Sequence, residues 1–252
     1  ETGAWAFNQV VNSGDQLLGV NGVEVRTSRD VRNVIENFAP GENITLTIDF
    51  KDEGVRDVGV ELQQFPEDGV SIFLLLPFLI SIVFLALSIW AFGLRRNESS
   101  GRAFIMFASS FSIVTSTIFN LWTSHEFTVV WTFACAMAGG ATLALALSFP
   151  SSPRILINRP YLRWMGFIVS FALAGMTVPY LFNIEDPARY IPLWQNIYYF
   201  DVICIFTLLG LNLYYTRYSP SPVVKSQAGN TLIGAFFAFA PITVYLAIGN
   251  IL

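Results

Sequence analysis

The side chains that could do chemistry in this 252-residue sequence are few, and they lie between or inside strongly apolar stretches. Asp201 stands about one to two turns inside an apolar run, where a carboxylate costs roughly 2.5–3.5 kcal/mol unless it is paired or hydrated. Arg189, in the polar stretch before it, and His125, next to Glu126 in a short polar turn, are its expected partners. The four residues predict a charged cluster that is either a structural ion pair or a sensor of a ligand or a proton.

Other polar and aromatic side chains extend this candidate outer pocket. The further pocket residues are Asn120, Trp194 and Tyr198. Aromatic residues also form ordinary belts at membrane interfaces, so a belt and a pocket remain open alternatives. Six serine and threonine residues between positions 109 and 117 are interpreted either as hydroxyls that bond within and between helices or as a polar cavity lining.

The same set of side chains excludes several kinds of catalysis. The sequence has one histidine, no HExxH motif, no GxSG motif and no phosphate-binding glycine loop. Cys135 and Cys204 lie inside apolar runs and are expected to be buried thiols. No pair of acidic residues occupies the middle of a predicted span, as an ion-coupled transporter would require. We therefore predict a non-catalytic chain with no cofactor, no metal site and no nucleic-acid partner.

The elements that position these groups are predicted to be membrane helices. Hydrophobic residues make up 54% of the chain and charged residues 13%, against about 25% charged in soluble domains. Residues 70–94 contain no charge, and this length crosses a hydrocarbon core of roughly 30 Å. Arg95 and Arg96 follow directly. Because basic residues collect on the cytoplasmic side, this helix is predicted to run from outside to inside.

The rest of the chain continues as a polytopic α-helical bundle in the plasma (inner) membrane. The six predicted spans are residues 70–94, 103–122, 128–149, 164–182, 196–215 and 229–251. Of the nine basic residues after position 69, eight fall in predicted inner loops, and Arg189 falls in an outer loop. With six spans Leu252 lies outside, so an output to the cytoplasm predicts a seventh span beyond it.

Residues 1–69 are predicted to form a small α+β domain on the outer side of the membrane. They carry thirteen acidic and five basic side chains, which a solvated domain tolerates. The Asn-Gly pair at 21–22 predicts a tight turn between two short strands. Residues 29–38 repeat apolar side chains at three- and four-residue steps, which predicts an amphipathic helix capped by Thr27 or Ser28.

Two further strands are predicted, at residues 43–50, where apolar and polar residues alternate, and at residues 58–62. Residues 13–62 contain, in order, a Gly-Asp strand, an Asn-Gly turn, a strand, a helix, a Pro-Gly break and two strands. This order resembles the second half of a bacterial PDZ domain. The resemblance implies a groove for a peptide between helix and sheet, although residues 3–12 are too few to supply its carboxylate loop. The groove residues that it implies are Val31, Asn33 and Val34.

An outer PDZ-like domain joined to a multi-pass bundle resembles the input region of bacterial sensor histidine kinases, including the kind that detects a secreted competence pheromone. Short motifs at 145–150 and 225–241 are similar to such bundles. The resemblance implies an extracytoplasmic ligand such as a peptide, pheromone or lipid-like molecule, a homodimer, and a cytoplasmic kinase, phosphatase or cyclase module. The alternatives are a carrier that binds its substrate near Asp201 and a membrane scaffold that recruits partners through the outer domain.

Overall fold

A small antiparallel sheet precedes a bundle of long apolar helices, which confirms the predicted α+β and membrane-helical parts in outline. The structure is a computed structural model that describes residues 15–50, 53–63, 67–153, 156, 158–183 and 189–239, with the backbone of 240–248. Several predictions lie outside these residues. They are the segment before position 15, the turn residue at 52, the inner-loop arginine at 154, the outer-loop residues 184–188 and the end of the sixth span at 249–251.

The sheet has four strands in the order β2-β1-β3-β4, and every neighbouring pair is antiparallel. The strands are β1 (Gln16–Val20), β2 (Val23–Glu24), β3 (Asn43–Phe50) and β4 (Gly54–Glu61). The third strand has the predicted bounds because its alternating apolar residues all turn to one buried face. The fourth strand begins four residues earlier than predicted, since it pairs with β3 along its whole length.

The predicted turn between β1 and β2 is confirmed. Asn21 and Gly22 both adopt positive φ, at 48° and 77°. The side-chain oxygen of Asn21 also accepts the backbone N–H of Thr45 at 2.7 Å, which ties the turn to β3. Asparagine and glycine adopt this backbone conformation at low cost, which is why this pair marks the turn in the sequence.

Helix α1 (Ser28–Ile35) packs on the sheet and starts at the predicted cap. Thr27 Oγ1 accepts the N–H of Asp30 at 3.2 Å, and Asp30 returns the bond by accepting the N–H of Thr27 at 2.9 Å. This reciprocal pair is a capping box. The helix ends three residues before the predicted end, but Phe38 still packs against the core. That core consists of Val20, Val25, Ile44, Leu46 and Ile48.

A continuous helical segment connects the sheet domain to the membrane. It consists of α2 (Glu67–Val70), a π-helical turn (Ser71–Leu75) and α3 (Leu76–Arg95). Residues 67–95 are helical throughout, and residues 64–66, between this segment and the sheet domain, lie outside the described residues.

Five more helices complete the described bundle. They are α4 (Ser99–Trp122), α5 (Thr128–Ala146), α6 (Met165–Thr177, between short 3-10 turns), α7 (Tyr190–Tyr218) and α8 (Pro222–Ile248). Within the described residues, five helical segments are long and apolar enough to cross a bilayer, and the first is Ser71–Arg95. The sixth predicted span coincides with α8, whose predicted last residues lie outside the described part.

Helices α4, α7 and α8 begin earlier than the apolar runs that predicted them. Helix α7 starts at Tyr190, six residues before the predicted span, and Pro192 lies in its first turn, where the missing N–H has no helical partner to lose. Helix α8 likewise starts with Pro222 at its first position. Both first turns contain a proline, and both are helical.

Helix α5 is the centre of the bundle, and small residues make up most of its buried face. It contacts α4, α6 and α7, and more of it is buried than of any other described span. Gly140 lies against Gly166 of α6, so that the two backbones approach closely. The Oγ of Ser170 crosses from α6 to donate to the carbonyl of Ala136 at 2.6 Å.

The hydroxyl-rich face of α4 is structural. The Oγ atoms of Ser88 and Ser109 lie 2.8 Å apart across the α3–α4 contact, and Ser112 Oγ donates to the carbonyl of Ser81 at 3.0 Å. Thr115 donates back to the carbonyl of Phe111 in its own helix. Of the two interpretations of this face, bonding within and between helices is the one that these contacts favour.

Candidate functional site

A cavity of about 2450 Å³ runs from the sheet domain into the bundle. Helices α3, α4, α5, α7 and α8 contribute its walls, and the start of the sheet domain contributes its outer end. On α5 it extends from Thr128 to Leu145, which is about 25 Å at 1.5 Å per residue. The cavity is larger than the roughly 300–1000 Å³ that holds a drug-sized ligand. It therefore has room for a long or branched molecule.

One face of α5 lines the cavity. The lining residues Trp131, Cys135, Ala138 and Thr142 recur at steps of four, three and four, which places them on one side of a helix. Three of the four are small, so the cavity passes close to the α5 backbone.

A matching face of α7 forms the adjacent wall. Trp194, Tyr198, Asp201, Ile205 and Leu208 recur at the same three- and four-residue steps. The predicted site residues Trp194, Tyr198 and Asp201 thus share one face of one helix and one cavity. The wall changes along this face from aromatic through acidic to aliphatic as the helix descends.

Asp201 is buried between α7 and α5, with 8% of its surface exposed. The Sγ of Cys135 donates to Asp201 Oδ2 at 3.6 Å, and a thiol is a weak donor. Asp201 Oδ1 has no hydrogen-bond partner among the described residues. It lies against Gly139, where a Cβ would overlap it, so the glycine leaves the room that this carboxyl occupies.

The partners predicted for Asp201 are wrong. Among the described residues neither Arg189 nor His125 forms a hydrogen bond or ion pair with it; the guanidinium of Arg189 lies 4.5 Å from the centre of the Tyr180 ring. Because α7 begins at Tyr190, Asp201 lies three turns rather than one to two turns below its outer end, about 16 Å inward.

The outer aromatic residues form a cluster at the cavity wall. The ring centres of Trp131 and Trp194 are 5.2 Å apart, those of Trp131 and Tyr198 are 6.5 Å apart, and those of Tyr190 and Trp194 are 5.0 Å apart. All four residues line the cavity. The indole N–H of Trp194 donates to Thr132 Oγ1 at 3.1 Å, whereas the buried indole N–H of Trp131 has no partner among the described residues.

The turn between α4 and α5 contains the remaining predicted residues. Asn120 holds the turn, because its Oδ1 accepts the N–H of Phe127 at 2.6 Å and its side-chain amide donates to Ser124. His125 lines the cavity mouth with φ at 57°, and its partial burial lowers the pKa of its imidazole. Glu126 does not pair with His125.

Glu126 instead connects the turn to the sheet domain. Its Oε1 lies 3.0 Å from the Nη1 of Arg32 on α1, and both side chains are partly exposed. The residues of the sheet domain that line the cavity lie on β1, β2 and the start of α1, from Asp15 to Arg29. The ion pair therefore stands beside the opening that the two parts enclose.

The residues of the predicted peptide groove lie on α1 and are not among the residues that line the cavity. Val31 and Val34 are half-buried against the sheet core, and Asn33 is exposed. Within the described residues, no three histidine, cysteine, aspartate or glutamate side chains are grouped to hold a metal ion.

Sequence reasoning missed three residues of this site: Trp131, Cys135 and Gly139. Their four-residue spacing is visible in the sequence and indicates a shared helical face. Small residues at this spacing allow tight helix packing, but the spacing alone does not tell which neighbouring helix brings its carboxyl to that face.

Comparison with known proteins yields a short match. A stretch of 58 residues is 34% identical to a protein of Bartonella henselae described as a probable periplasmic serine endoprotease DegP-like. The match spans 23% of this chain and 11% of that relative. No protein-family model and no solved structure matches the chain.

Proposed function

We propose that this chain is the input module of a membrane receptor, in which an outer domain and a six-span bundle share one ligand cavity. The cavity carries the proposal, because its wall is built from both parts. A ligand held there contacts the sheet domain and the helices together. Its differential affinity for two arrangements of these parts then biases one of them over the other.

In this proposal the sheet domain is extracytoplasmic and α3 carries the signal inward. The basic residues at the inner ends support this orientation: Arg95 ends α3, and Arg102 donates to the carbonyls of Arg96 and Asn97 in the α3–α4 turn. The match to a protein described as periplasmic supports it as well. A membrane-impermeant thiol reagent should modify Val55→Cys and Asn97→Cys from opposite sides of the membrane. Modification of both from the same side would refute the orientation.

The resemblance to a PDZ domain and to sensor histidine kinases supplies the remaining parts of the proposal. These are a homodimer in the plasma (inner) membrane, a peptide, pheromone or lipid-like signal, and a cytoplasmic output such as a histidine kinase. The short contact between α1 and the outer turn, from Arg32 to Glu126, supports a domain that rests on the bundle.

The proposal predicts that cavity ligands move the sheet domain relative to the bundle. Nitroxide labels at Val55→Cys and Phe127→Cys report this distance, since both positions are exposed and lie outside the cavity lining. The native thiols Cys135 and Cys204 are buried and should not react. The protein is placed in nanodiscs and titrated separately with dodecylamine, dodecanol and dodecanoate. At least one amphiphile is expected to shift the distance distribution in a saturable way.

A cavity-filling variant provides the control. Gly234 lines the cavity and has open space where a Cβ would stand, so Gly234→Trp should abolish the shift. Gly210 on α7 also has open space but lies outside the cavity, so Gly210→Trp should preserve the shift. No shift with any of the three amphiphiles, or the same shift in both variants, would refute the receptor proposal.

A carrier is the second candidate, and the acidic residue deep in the cavity favours it. Asp201 is the kind of intramembrane ionisable residue that marks a transport pathway. Proteoliposomes distinguish the two functions. A carrier accumulates the amphiphile in the lumen faster than protein-free vesicles do, without a requirement for a shifted outer domain.

A further inference from the structure

The cavity wall contains two buried polar atoms that have no hydrogen-bond partner among the described residues. Among the described residues, Asp201 Oδ1 and Trp131 Nε1 have no hydrogen-bond partner, and the two side chains are 8% and 7% exposed. Both residues line the same cavity from neighbouring helices. Buried polar atoms are nearly always paired in folded proteins, so two such atoms at one cavity wall indicate a missing partner. Asp201 Oδ1 is an acceptor that an ammonium group can pair with, whereas the Trp131 N–H is a donor, so Trp131 can offer such a group only its ring.

Asp201 is the one charged side chain that the described helices of the bundle contribute to this cavity. The other charged lining residues belong to the sheet domain or to the outer turn, about three helical turns further out. A lone carboxylate in an apolar wall favours a cation and opposes an anion. The weak thiol bond from Cys135 leaves most of its acceptor capacity unused.

The aromatic residues next to Asp201 suit the same ligand charge. Trp194 and Tyr198 precede Asp201 by two turns and one turn on α7, and Trp131 packs against both rings. Aromatic faces attract ammonium groups, and most strongly where water is excluded. The bond from Trp194 to Thr132 fixes one of these rings in place.

Below the carboxyl, the cavity becomes mainly apolar, although Thr142 and Thr231 also line it. Phe107 and Phe111 of α4 pack around Phe84 of α3 and Phe239 of α8, with ring centres 4.7 to 6.3 Å apart. All four phenylalanines line the cavity. This part can accept a hydrocarbon chain, and its described lining residues carry no charge.

We propose that the cavity binds an amphiphile whose cationic amine head is held by Asp201 beside Trp131, Trp194 and Tyr198, and whose hydrocarbon tail lies among the phenylalanines below. The inference rests on the proposed function, since it names the class of ligand for the same cavity. Dodecylamine represents this class. Dodecanol has the same chain with a neutral head, and dodecanoate has the same chain with the opposite charge.

Binding to the complete chain in zwitterionic nanodiscs tests the head group first without any variant. Quenching of tryptophan fluorescence is measured, and the signal of empty nanodiscs is subtracted for bilayer partition. Dodecylamine is expected to bind at least tenfold more tightly than dodecanol, and dodecanoate more weakly than either. Equal affinities of the three, or partition into the bilayer only, would overturn the inference.

Two carboxyl-to-amide substitutions locate the site. Asp201→Asn keeps the shape of the side chain and should lower dodecylamine affinity at least tenfold while dodecanol affinity stays the same. Glu98→Gln removes a carboxylate outside the cavity, which pairs with Arg95, and should change neither affinity. Undiminished dodecylamine binding in folded Asp201→Asn would overturn the inference.

The two proposals can fail separately. If dodecanol or dodecanoate moves the sheet domain but dodecylamine has no preference, the amine site is refuted and the receptor stands. If dodecylamine binds through Asp201 and the labelled distance does not change, the receptor is refuted and the amine site stands.

Discussion

The tight contact between α5 and α7 at Gly139 gives a stability prediction that can be worked from the structure. Gly139→Ala would place a methyl group on Asp201 Oδ1, with Phe200 Cε1 at 3.0 Å and Asp201 Cγ at 3.1 Å. These neighbours belong to a buried helix interface rather than to a flexible surface. Either the carboxyl leaves its position or the two helices move apart.

The magnitude follows from two opposing effects. Overfilling a packed interface costs about 1–3 kcal/mol, and replacing glycine by alanine inside a helix gains about 0.8–1 kcal/mol. Gly139→Ala should therefore lose roughly 0–2 kcal/mol of unfolding free energy. Gly210→Ala on α7 meets nothing within 4 Å and should keep the full gain. The difference between the two variants isolates the steric effect, at about 1–3 kcal/mol.

The measurement is reversible unfolding in mixed micelles, followed by tryptophan fluorescence, for both single variants and for Gly139→Ala with Asp201→Ala. The second substitution removes the overlapping oxygen, so the double variant should recover part of the loss, as coupled neighbours do. Equal unfolding free energies for Gly139→Ala and Gly210→Ala would show that Asp201 does not press on α5. The account of the cavity wall would then be wrong.

Three further predictions concern the outer part of the protein. Ile48 is 1% exposed, so Ile48→Ala leaves a cavity in the sheet core and should lower the unfolding free energy by about 2–5 kcal/mol. Val55 is exposed, so Val55→Ala should change the unfolding free energy by less than about 0.5 kcal/mol. Burial lowers the pKa of His125, so the folded state resists protonation of its imidazole. The stability of the protein should therefore fall as the pH drops below the unfolded-state pKa of about 6.5. In thermal unfolding, His125→Asn, which tolerates the positive φ, should reduce this dependence of stability on pH. Arg32→Glu should widen the label distance between domain and bundle, and adding Glu126→Arg should restore it; an unchanged distance in Arg32→Glu would contradict the role of this pair.

Local elements of the sheet domain could be predicted from the sequence because short-range chemistry determines them. The strand at 43–50 follows from alternation, the turn at Asn21 from its tolerance of positive φ, and the start of α1 from the cap at Thr27. The end of α1 could not be predicted, since Phe38 continues the apolar pattern and reaches the core without being helical.

The membrane helices were predictable in position but not in extent. The predicted spans left out the first turns of α7 and α8, because each lies beside polar residues and contains a proline, which a helix tolerates in its first turn. Because α7 starts at Tyr190, six residues before the predicted span, Asp201 lies three turns inside the helix and away from Arg189. The contact with Cys135 depends on how α5 and α7 pack, which no local pattern contains.

The π-helical turn at Ser71–Leu75 determines how α2 is rotated relative to α3 within the helical segment from Glu67 to Arg95. A π turn accommodates one residue more than an α turn. Release of that surplus residue would rotate everything above the turn by about 100° and displace it axially by about 1.5 Å. Helix α2 would then present another side to the bundle, with no change in α3.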